Sequence, residues 1–268
     1  MRFTVLGASG YIGRHLVPHL RALGAEVWAP AKGELTGLDQ PLGHVIYAVG
    51  LTAGFRTRPY DTVQAHVGWL AQLLQRCQFD SWLYLSSTRV YNGAPSGHED
   101  SPLQVSPCQP DDLYNLSKLL GESLVLQHPH PAARVVRLSN VLGPGQQHSP
   151  NFVPSLIRAA WQGQVVLKSP PDTTKDYIAL ADVLQALPRI SQKGSHRLYN
   201  LASGRALAHA EILNLLQQHT ACQVQLAPQG EAVAFPALNT ERIAQLGLAP
   251  IDPTPVVAAM IDELRPSL

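Results

Sequence analysis

The sequence is poor in cysteine and in charge. It has three cysteines, Cys77, Cys108 and Cys222, whose spacing matches no metal-binding pattern. Their odd number predicts free thiols in a reducing cytoplasm. Charged residues make up 15% of the chain and the net charge is +1, without the Lys/Arg excess that nucleic-acid binding needs. We therefore expect no metal and no nucleic-acid partner.

Long apolar runs are also missing. The stretch "HVIYAVGL" is far shorter than the ~20 residues of a membrane span. The start, "MRFTVLG", is typical of a strand and lacks the parts of a secretion signal. Apolar residues nevertheless make up 45% of 268 residues, enough to bury a substantial core. These features predict a soluble cytoplasmic globular protein that does not bind membranes.

Short β-branched runs alternate with helical stretches through the first half of the chain. The predicted strands are "FTVLG", "AEVWA", "HVIYAVG", "SWLYLSS" and "ARVVRLSNV", and the predicted helices cover 11–23, about 59–77 and about 112–127. This alternation predicts an α/β fold, a Rossmann-like doubly wound parallel sheet. From Gly143 the chain becomes rich in Gly and Pro. We therefore predict a dinucleotide-binding domain over 1–143, with 176–200 contributing to it, and a smaller, partly discontinuous substrate-binding region over 144–268.

A glycine-rich turn follows the first predicted strand. In "VLGASGYIGRHL", Gly7, Gly10 and Gly13 lie just after that strand and at the start of the first helix, and together with Tyr11 and Ile12 they are the residues expected to bind the cofactor. Glycines there permit a tight turn and a close approach to a pyrophosphate, whose charge the helix amides receive. The turn predicts dinucleotide binding, although glycines can also serve helix-strand packing alone.

Three polar residues predict chemistry at the sheet edge. Tyr114 and Lys118 are four residues apart on a predicted helix and so share one face, which lets the ammonium reach the site of the phenol. A tyrosine acting near neutral pH needs nearby positive charge. Ser87 ends the strand "SWLYLSS" at the carboxyl edge, where parallel sheets bind ligands. We predict that these residues form a catalytic group.

Together, the glycine turn, "SSTRVY" and "YNLSK" resemble the extended branch of the short-chain dehydrogenase/reductase superfamily, which includes nucleotide-sugar epimerases, dehydratases and reductases. The resemblance implies that Ser87 contacts the reacting carbonyl, that Tyr114 is the general acid or base, and that Lys118 binds the nicotinamide ribose. "RLSNVLGPG" and "TTKDYIALADV" continue it and place Asn140 and Lys175 near the substrate, where Thr88, the residue after Ser87, is also expected. It also implies a homodimer.

The acidic residue that NAD-binding relatives carry after the second strand is absent. The resemblance aligns that position with Ala31, whereas Lys32 follows it and Arg14 follows the third glycine. Two cations there favour the 2′-phosphate of NADP, and NAD stays open. Glu34 is expected to meet the adenine amine.

The two residues after Ser87 narrow the reaction. Thr88 and Arg89 stand where dehydratases of this branch have an Asp-Glu pair, which argues against dehydration. The resemblance implies an oxidoreductase that reduces a keto group of a nucleotide sugar or a related carbonyl compound. An NAD-dependent nucleotide-sugar 4-epimerase and a non-catalytic NADPH-binding regulator or scaffold remain as alternatives.

Overall fold

The structure is a computed structural model that describes residues 1–34, 36–52, 54–227 and 235–266. The strands are β1 Arg2–Leu6, β2 Glu26–Trp28, β3 His44–Tyr47, β4 Ser81–Ser87, β5 Ala133–Leu138, β6 Asn140–Leu142, β7 Gln164–Leu167, β8 Thr174–Ala179, β9 Leu198–Leu201, β10 Ala206–Ala208 and β11 Gln223–Leu226. The helices are α1 Tyr11–Ala22, α2 Pro59–Val63, α3 Trp69–Arg76, α4 Asp112–Gln127, α5 Phe152–Trp161, α6 Leu180–Lys193, α7 His209–His219, α8 Glu241–Ala244 and α9 Pro253–Glu263. A π-helix, Gln64–Gly68, joins α2 to α3, and a 3₁₀ helix, Thr88–Tyr91, follows β4.

Six parallel strands form the central sheet in the order β2-β1-β3-β4-β5-β9. This order is the 3-2-1-4-5-6 arrangement of doubly wound folds without strand 3 at one edge and with one further strand, β9, at the other. The chain between β2 and β3 is too short for the missing strand and its crossover helix, and no strand lies among the described residues of 29–43. The predicted Rossmann-like fold is confirmed.

Helices cover both faces of this sheet. On one face, α1 and α6 bury Leu16, Leu20 and Leu187 against β1, β3 and β4. On the other, α3 and α4 bury Leu70 and Val125 against Trp82 and other residues of β3, β4 and β5. Since each helix shields one side of strands that are apolar on both faces, the polar strand ends are left at the carboxyl edge of the sheet.

The segment 133–141 forms two strands, where the sequence predicts one. β5 ends at Leu138 in the central sheet, and after Ser139 the chain enters β6 of a separate sheet, β10-β8-β6. β6 thereby joins a second core, which packs α5, α7 and α9 around residues such as Ile157, Ile212 and Ile261. Because β5 ends at the carboxyl edge of the central sheet, this break places the start of the second core next to that edge.

The three cysteines are free thiols, as expected, and only Cys108 is exposed. No helix within the described residues is both long and apolar enough to cross a membrane.

Candidate active site

The glycine turn forms a close cradle between β1 and α1. Gly7 has a φ of +88°, and a Cβ there would lie 2.7 Å from the carbonyl carbon of Ala48. A Cβ on Gly13 would lie 2.6 Å from the Cα of Ala8, so only glycine fits either position. No described side chain caps α1 after Gly10, which leaves its first amides for an anion. This cradle fits the pyrophosphate of a dinucleotide.

The residues predicted near the adenosine end have other contacts. Arg14 donates a 2.5 Å hydrogen bond to the carbonyl of Gly145 and lies over the Tyr11 ring, with 5.3 Å from Cζ to the centroid. Lys32 is exposed. Glu34 turns back, and its carboxylate accepts the Ala31 amide at 2.9 Å. The fold thus brings a carboxylate to the backbone position where the sequence has none.

The structure brings Ser87, Tyr114 and Lys118 together. Ser87 is the last residue of β4, and its side chain is near enough to the Tyr114 phenol on α4 to lower the pKa of that phenol. One turn later, the Lys118 ammonium donates to the Leu85 carbonyl at 2.9 Å, with 5.9 Å from its Nζ to the centroid of the Tyr114 ring. A reacting carbonyl near the phenol would therefore find a proton donor and a second hydroxyl in one place.

Burial controls the charges of this group. It lowers the pKa of Lys118 to about 7, and the nearby Glu122 only partly opposes this. Burial also raises the pKa of the Tyr114 phenol, while the Ser87 side chain and the charge of Arg89 lower it. Lys118 therefore supplies a full positive charge only below neutral pH.

His66, which the sequence leaves without a role, lies directly against this group. It sits fully buried in the π-helix, edge-on to Tyr114, with 5.3 Å between ring centroids. Its Nε2 accepts the Leu51 amide at 3.3 Å, and its Nδ1 lies 2.8 Å from Ser117 Oγ, whose hydrogen goes to the Tyr114 carbonyl. The Nδ1–H tautomer satisfies all three bonds. The feature that draws attention to His66 is visible in the structure and not in the sequence: it is the π-helical turn, a local helix type that often marks functional sites.

A buried ion pair anchors α4 one turn beyond Lys118. Arg137 Nη2 lies 2.8 Å from Glu122 Oε2, and both side chains are at most 5% exposed. Ser86 donates to the same carboxylate at 2.5 Å, and Arg137 also donates to the Tyr91 hydroxyl at 2.8 Å. These contacts join α4 to β4 and β5 and so fix Tyr114 relative to Ser87.

A cavity of about 850 Å³ lies between the 3₁₀ helix and the second core, and one of its lining residues, Arg89, lies over the Tyr114 ring. Four of its lining residues are cationic and one is acidic: Arg56, Arg89, Lys168, Lys175 and Asp111. Burial and the charge of Arg89 lower the pKa of Lys175, whose ammonium lies 5.3 Å from the Phe152 ring centroid. The excess of positive charge suits an anionic ligand.

Two buried polar atoms at the Lys175 end of the cavity have no hydrogen-bond partner among the described residues: His209 Nε2 and Thr173 Oγ1. The other nitrogen of His209 is satisfied by Ser169 Oγ at 2.8 Å, and its ring packs on Phe152 with 4.3 Å between centroids. The sequence assigns neither residue a role: Thr173 begins the segment "TTKDYIALADV", where only Lys175 is singled out, and nothing near His209 marks it before the chain folds.

The remaining predicted substrate residues are placed differently. Thr88 is buried at the start of the 3₁₀ helix, next to Ser87. Asn140 is exposed, and its amide donates to the Asp176 carbonyl at 2.9 Å across the β6-β8 pair. Within the described ranges, no group of three or more His, Cys, Asp or Glu side chains is arranged to hold a metal ion.

Comparison with known proteins agrees with this arrangement. Residues 3–202 match the NAD dependent epimerase/dehydratase family. The GDP-6-deoxy-D-mannose reductase of Pseudomonas aeruginosa is 29% identical over 80% of this chain and 79% of its own. A dTDP-4-dehydro-6-deoxy-D-allose reductase from Streptomyces bikiniensis is 24% identical over 79% of each chain.

Solved structures share the fold. RMD from Pseudomonas aeruginosa, complexed with NADPH, has a TM-score of 0.77 at 24% identity over 99% of both chains. MoeE5, in complex with UDP-glucose and NAD, has a TM-score of 0.82 at 21% identity over 99% of both chains. The chain therefore belongs to the NAD dependent epimerase/dehydratase family and is an enzyme of its NAD(P)-dependent oxidoreductase and epimerase class.

Proposed function

We propose that this enzyme is an NADPH-dependent reductase that acts on a keto group of a nucleotide sugar. The observation that carries the proposal is that Ser87, Tyr114 and Lys118 come together next to Arg89, which lines the cationic cavity. The relatives named as reductases of sugar nucleotides support it.

The catalytic roles follow from the contacts. A bound nicotinamide cofactor would supply the hydride. Tyr114 donates a proton to the oxygen that was the carbonyl, and Ser87 hydrogen-bonds the same oxygen as negative charge develops on it. Lys118, held at the Leu85 carbonyl, would bind the cofactor ribose.

The cavity would hold the diphosphate of the substrate at its Lys175 end. Lys175 offers charge there, and the unpartnered atoms of His209 and Thr173 offer hydrogen-bonding groups. Thr88 and Asn140 remain proposed contacts for the sugar. The site would then lie between the proposed dinucleotide-binding part, 1–143 with 176–200, and the substrate-binding part.

The cofactor preference depends on the adenosine end. Lys32 favours the 2′-phosphate of NADP, whereas the carboxylate of Glu34 at the Ala31 amide opposes it. Fluorescence titration with NADPH and with NADH measures the balance. Tighter NADPH binding that weakens in Lys32→Ala supports the proposal, and tighter NADH binding assigns the enzyme to NAD.

The activity test incubates the enzyme with NADPH or NADH and a panel of nucleoside diphosphate 4-keto-6-deoxyhexoses, and follows the loss of cofactor absorbance. We expect turnover, and we expect Tyr114→Phe to lower kcat by roughly 100-fold or more, because general-acid catalysis is lost. Tyr60→Phe is the matched control, since that hydroxyl is 89% exposed on α2.

A second panel, nucleoside diphosphate hexoses analysed by chromatography, tests the alternatives. Interconversion of 4-hydroxyl epimers in that panel without net use of cofactor would replace the reductase with an epimerase. A protein that binds cofactor but turns over no sugar of either panel, and whose cofactor binding does not change in Tyr114→Phe, would be a regulator.

A further inference from the structure

Arg89 lies over the catalytic tyrosine. Its Cζ is 5.8 Å from the centroid of the Tyr114 ring and 5.1 Å from that of Phe55, and its own amide donates to Ser87 Oγ at 3.2 Å. The Phe55 ring in turn contacts Tyr114, with 5.2 Å between centroids. Arg89 thus occupies a position from which its charge reaches the phenol directly.

A carboxylate balances this arginine. Asp111, the residue before α4, accepts from Arg89 Nη2 at 3.4 Å and from Arg56 through two bonds of 2.6 and 2.7 Å. Arg56 also lies over the Phe55 ring, which Arg89 contacts, with 4.6 Å from Arg56 Cζ to the ring centroid. Asp111 is therefore held mainly by Arg56, and the charge of Arg89 is only partly neutralised.

The other charged or titratable groups around Tyr114 leave Arg89 as its permanent cation. From the π-helix, His66 presents a neutral ring, because burial and then Lys118 lower its pKa to about 2. On α4, burial lowers the pKa of Lys118 to about 7, and Glu122 is paired with Arg137. From β4, burial keeps Tyr84 protonated by raising its pKa. The other charged residues that line the cavity are Arg56, Asp111, Lys168 and Lys175.

We propose that Arg89 is a positioning residue that sets the acidity of Tyr114 electrostatically, and that Asp111 tempers its effect. The proposal deepens the proposed function, because it names a second source of positive charge for the same phenol. It assigns to Arg89 a role that Lys118 fills only while it is protonated.

The physical reason lies in the nature of the two cations. A guanidinium keeps its charge at every accessible pH, whereas the buried ammonium of Lys118 loses its charge as the pH rises through about 7. A permanent charge about 6 Å from a phenol in a partly exposed site favours the tyrosinate. Removing it is expected to raise the midpoint of Tyr114 ionisation by about 0.5–1 pH unit.

The experiment measures that ionisation without any substrate, so it does not depend on the proposed reductase activity. The full chain is labelled with carbon-13 at tyrosine Cζ, and the Tyr114 resonance is identified by its loss in Tyr114→Phe. Its pH titration is compared in the wild type, Arg89→Met, Arg89→Lys and Asp111→Asn. Arg58→Met is the matched control, since Arg58 forms a 2.8 Å pair with Asp61 on the surface.

The expected shifts have opposite signs. Arg89→Met raises the midpoint, Asp111→Asn lowers it because an opposing negative charge is removed, and Arg89→Lys and Arg58→Met stay close to the wild type. If Arg89→Met unfolds at high pH before its Tyr114 is half ionised, its spectrum at the wild-type midpoint pH is used instead. A Tyr114 phenol that is still mostly protonated at that pH has a raised midpoint. Equal midpoints in the wild type and Arg89→Met overturn the proposal, as do shifts of the same sign in Arg89→Met and Asp111→Asn. If Arg89→Met does not fold, Asp111→Asn alone decides: a lowered midpoint supports the proposal, and an unchanged or raised one overturns it.

Discussion

At the scale of the residue, Lys118 is a charge placed where water does not reach it. Its folded pKa is lowered to about 7 from an ordinary value of 10.5. The unfolded chain therefore binds more protons between these values, and stability rises with pH across that window. Below pH 7 the full cost of the buried charge is present, so we expect Lys118→Met to stabilise the fold by roughly 1–4 kcal/mol at pH 6.

The gain should be roughly 2 kcal/mol smaller at pH 9, because the native ammonium has by then lost its proton. Guanidinium unfolding at the two pH values measures the difference. Lys32→Met is the control, since Lys32 is exposed and its replacement should have the same small effect at both pH values. An equal gain from Lys118→Met at pH 6 and pH 9 would contradict the shifted pKa.

Single residues also show how far the sequence predicts the site. Tyr114 and Lys118 could be predicted because helical spacing alone puts them on one face, and Ser87 because it ends a strand. Their proximity in the structure agrees with those predictions, while their roles remain proposals. Arg89 and Asp111 could not be paired in advance, because they are 22 residues apart and meet only after β4 and α4 pack.

At the scale of the element, the predicted helix at about 59–77 contains a change of helical type that hydrophobic spacing does not reveal. The five π-helical residues Gln64–Gly68 include His66, whose two nitrogens bond the Leu51 amide and Ser117. We expect His66→Ala to destabilise the protein by roughly 2–4 kcal/mol at pH 7, because two buried groups lose their partners.

The stability difference between the wild type and His66→Ala should be smaller in acid. The folded pKa of His66 is about 2 and its ordinary value is 6.5, so below pH 6.5 the unfolded wild type takes up a proton that the native protein refuses. The wild type therefore loses stability in acid, whereas His66→Ala has no such group to protonate. The difference in their free energies of unfolding should be smaller by roughly 1–2 kcal/mol at pH 5 than at pH 7. Urea unfolding at both pH values tests it. Gln64→Ala, an exposed change in the same π-helix, should give a constant, small difference, whereas a gap for His66→Ala that widens in acid would refute the assigned charge state.

At the scale of the whole molecule, α2 and α4 pack together and carry apolar side chains on their outer surface. Tyr60 is 89% exposed, Leu120 is 52% exposed and Val63 is 39% exposed. A second copy of the chain would cover these residues by pairing α2 and α4 with their equivalents, which is the homodimer we propose. Exposed large apolar groups gathered on adjacent helices mark an association surface more often than isolated ones do.

Leu120→Glu should then separate the copies, because it places like charges on both sides of the two-fold interface. We expect light scattering at micromolar concentration to report a dimer for the wild type and a monomer for Leu120→Glu. Ile251→Glu is the matched control, since Ile251 is 51% exposed away from these helices. A dimeric Leu120→Glu would assign the interface to another face, and a monomeric wild type would remove the dimer. Because Tyr114 and Lys118 lie on the inner side of the same α4, a confirmed interface would also mean that association stiffens the helix that carries the proposed proton donor.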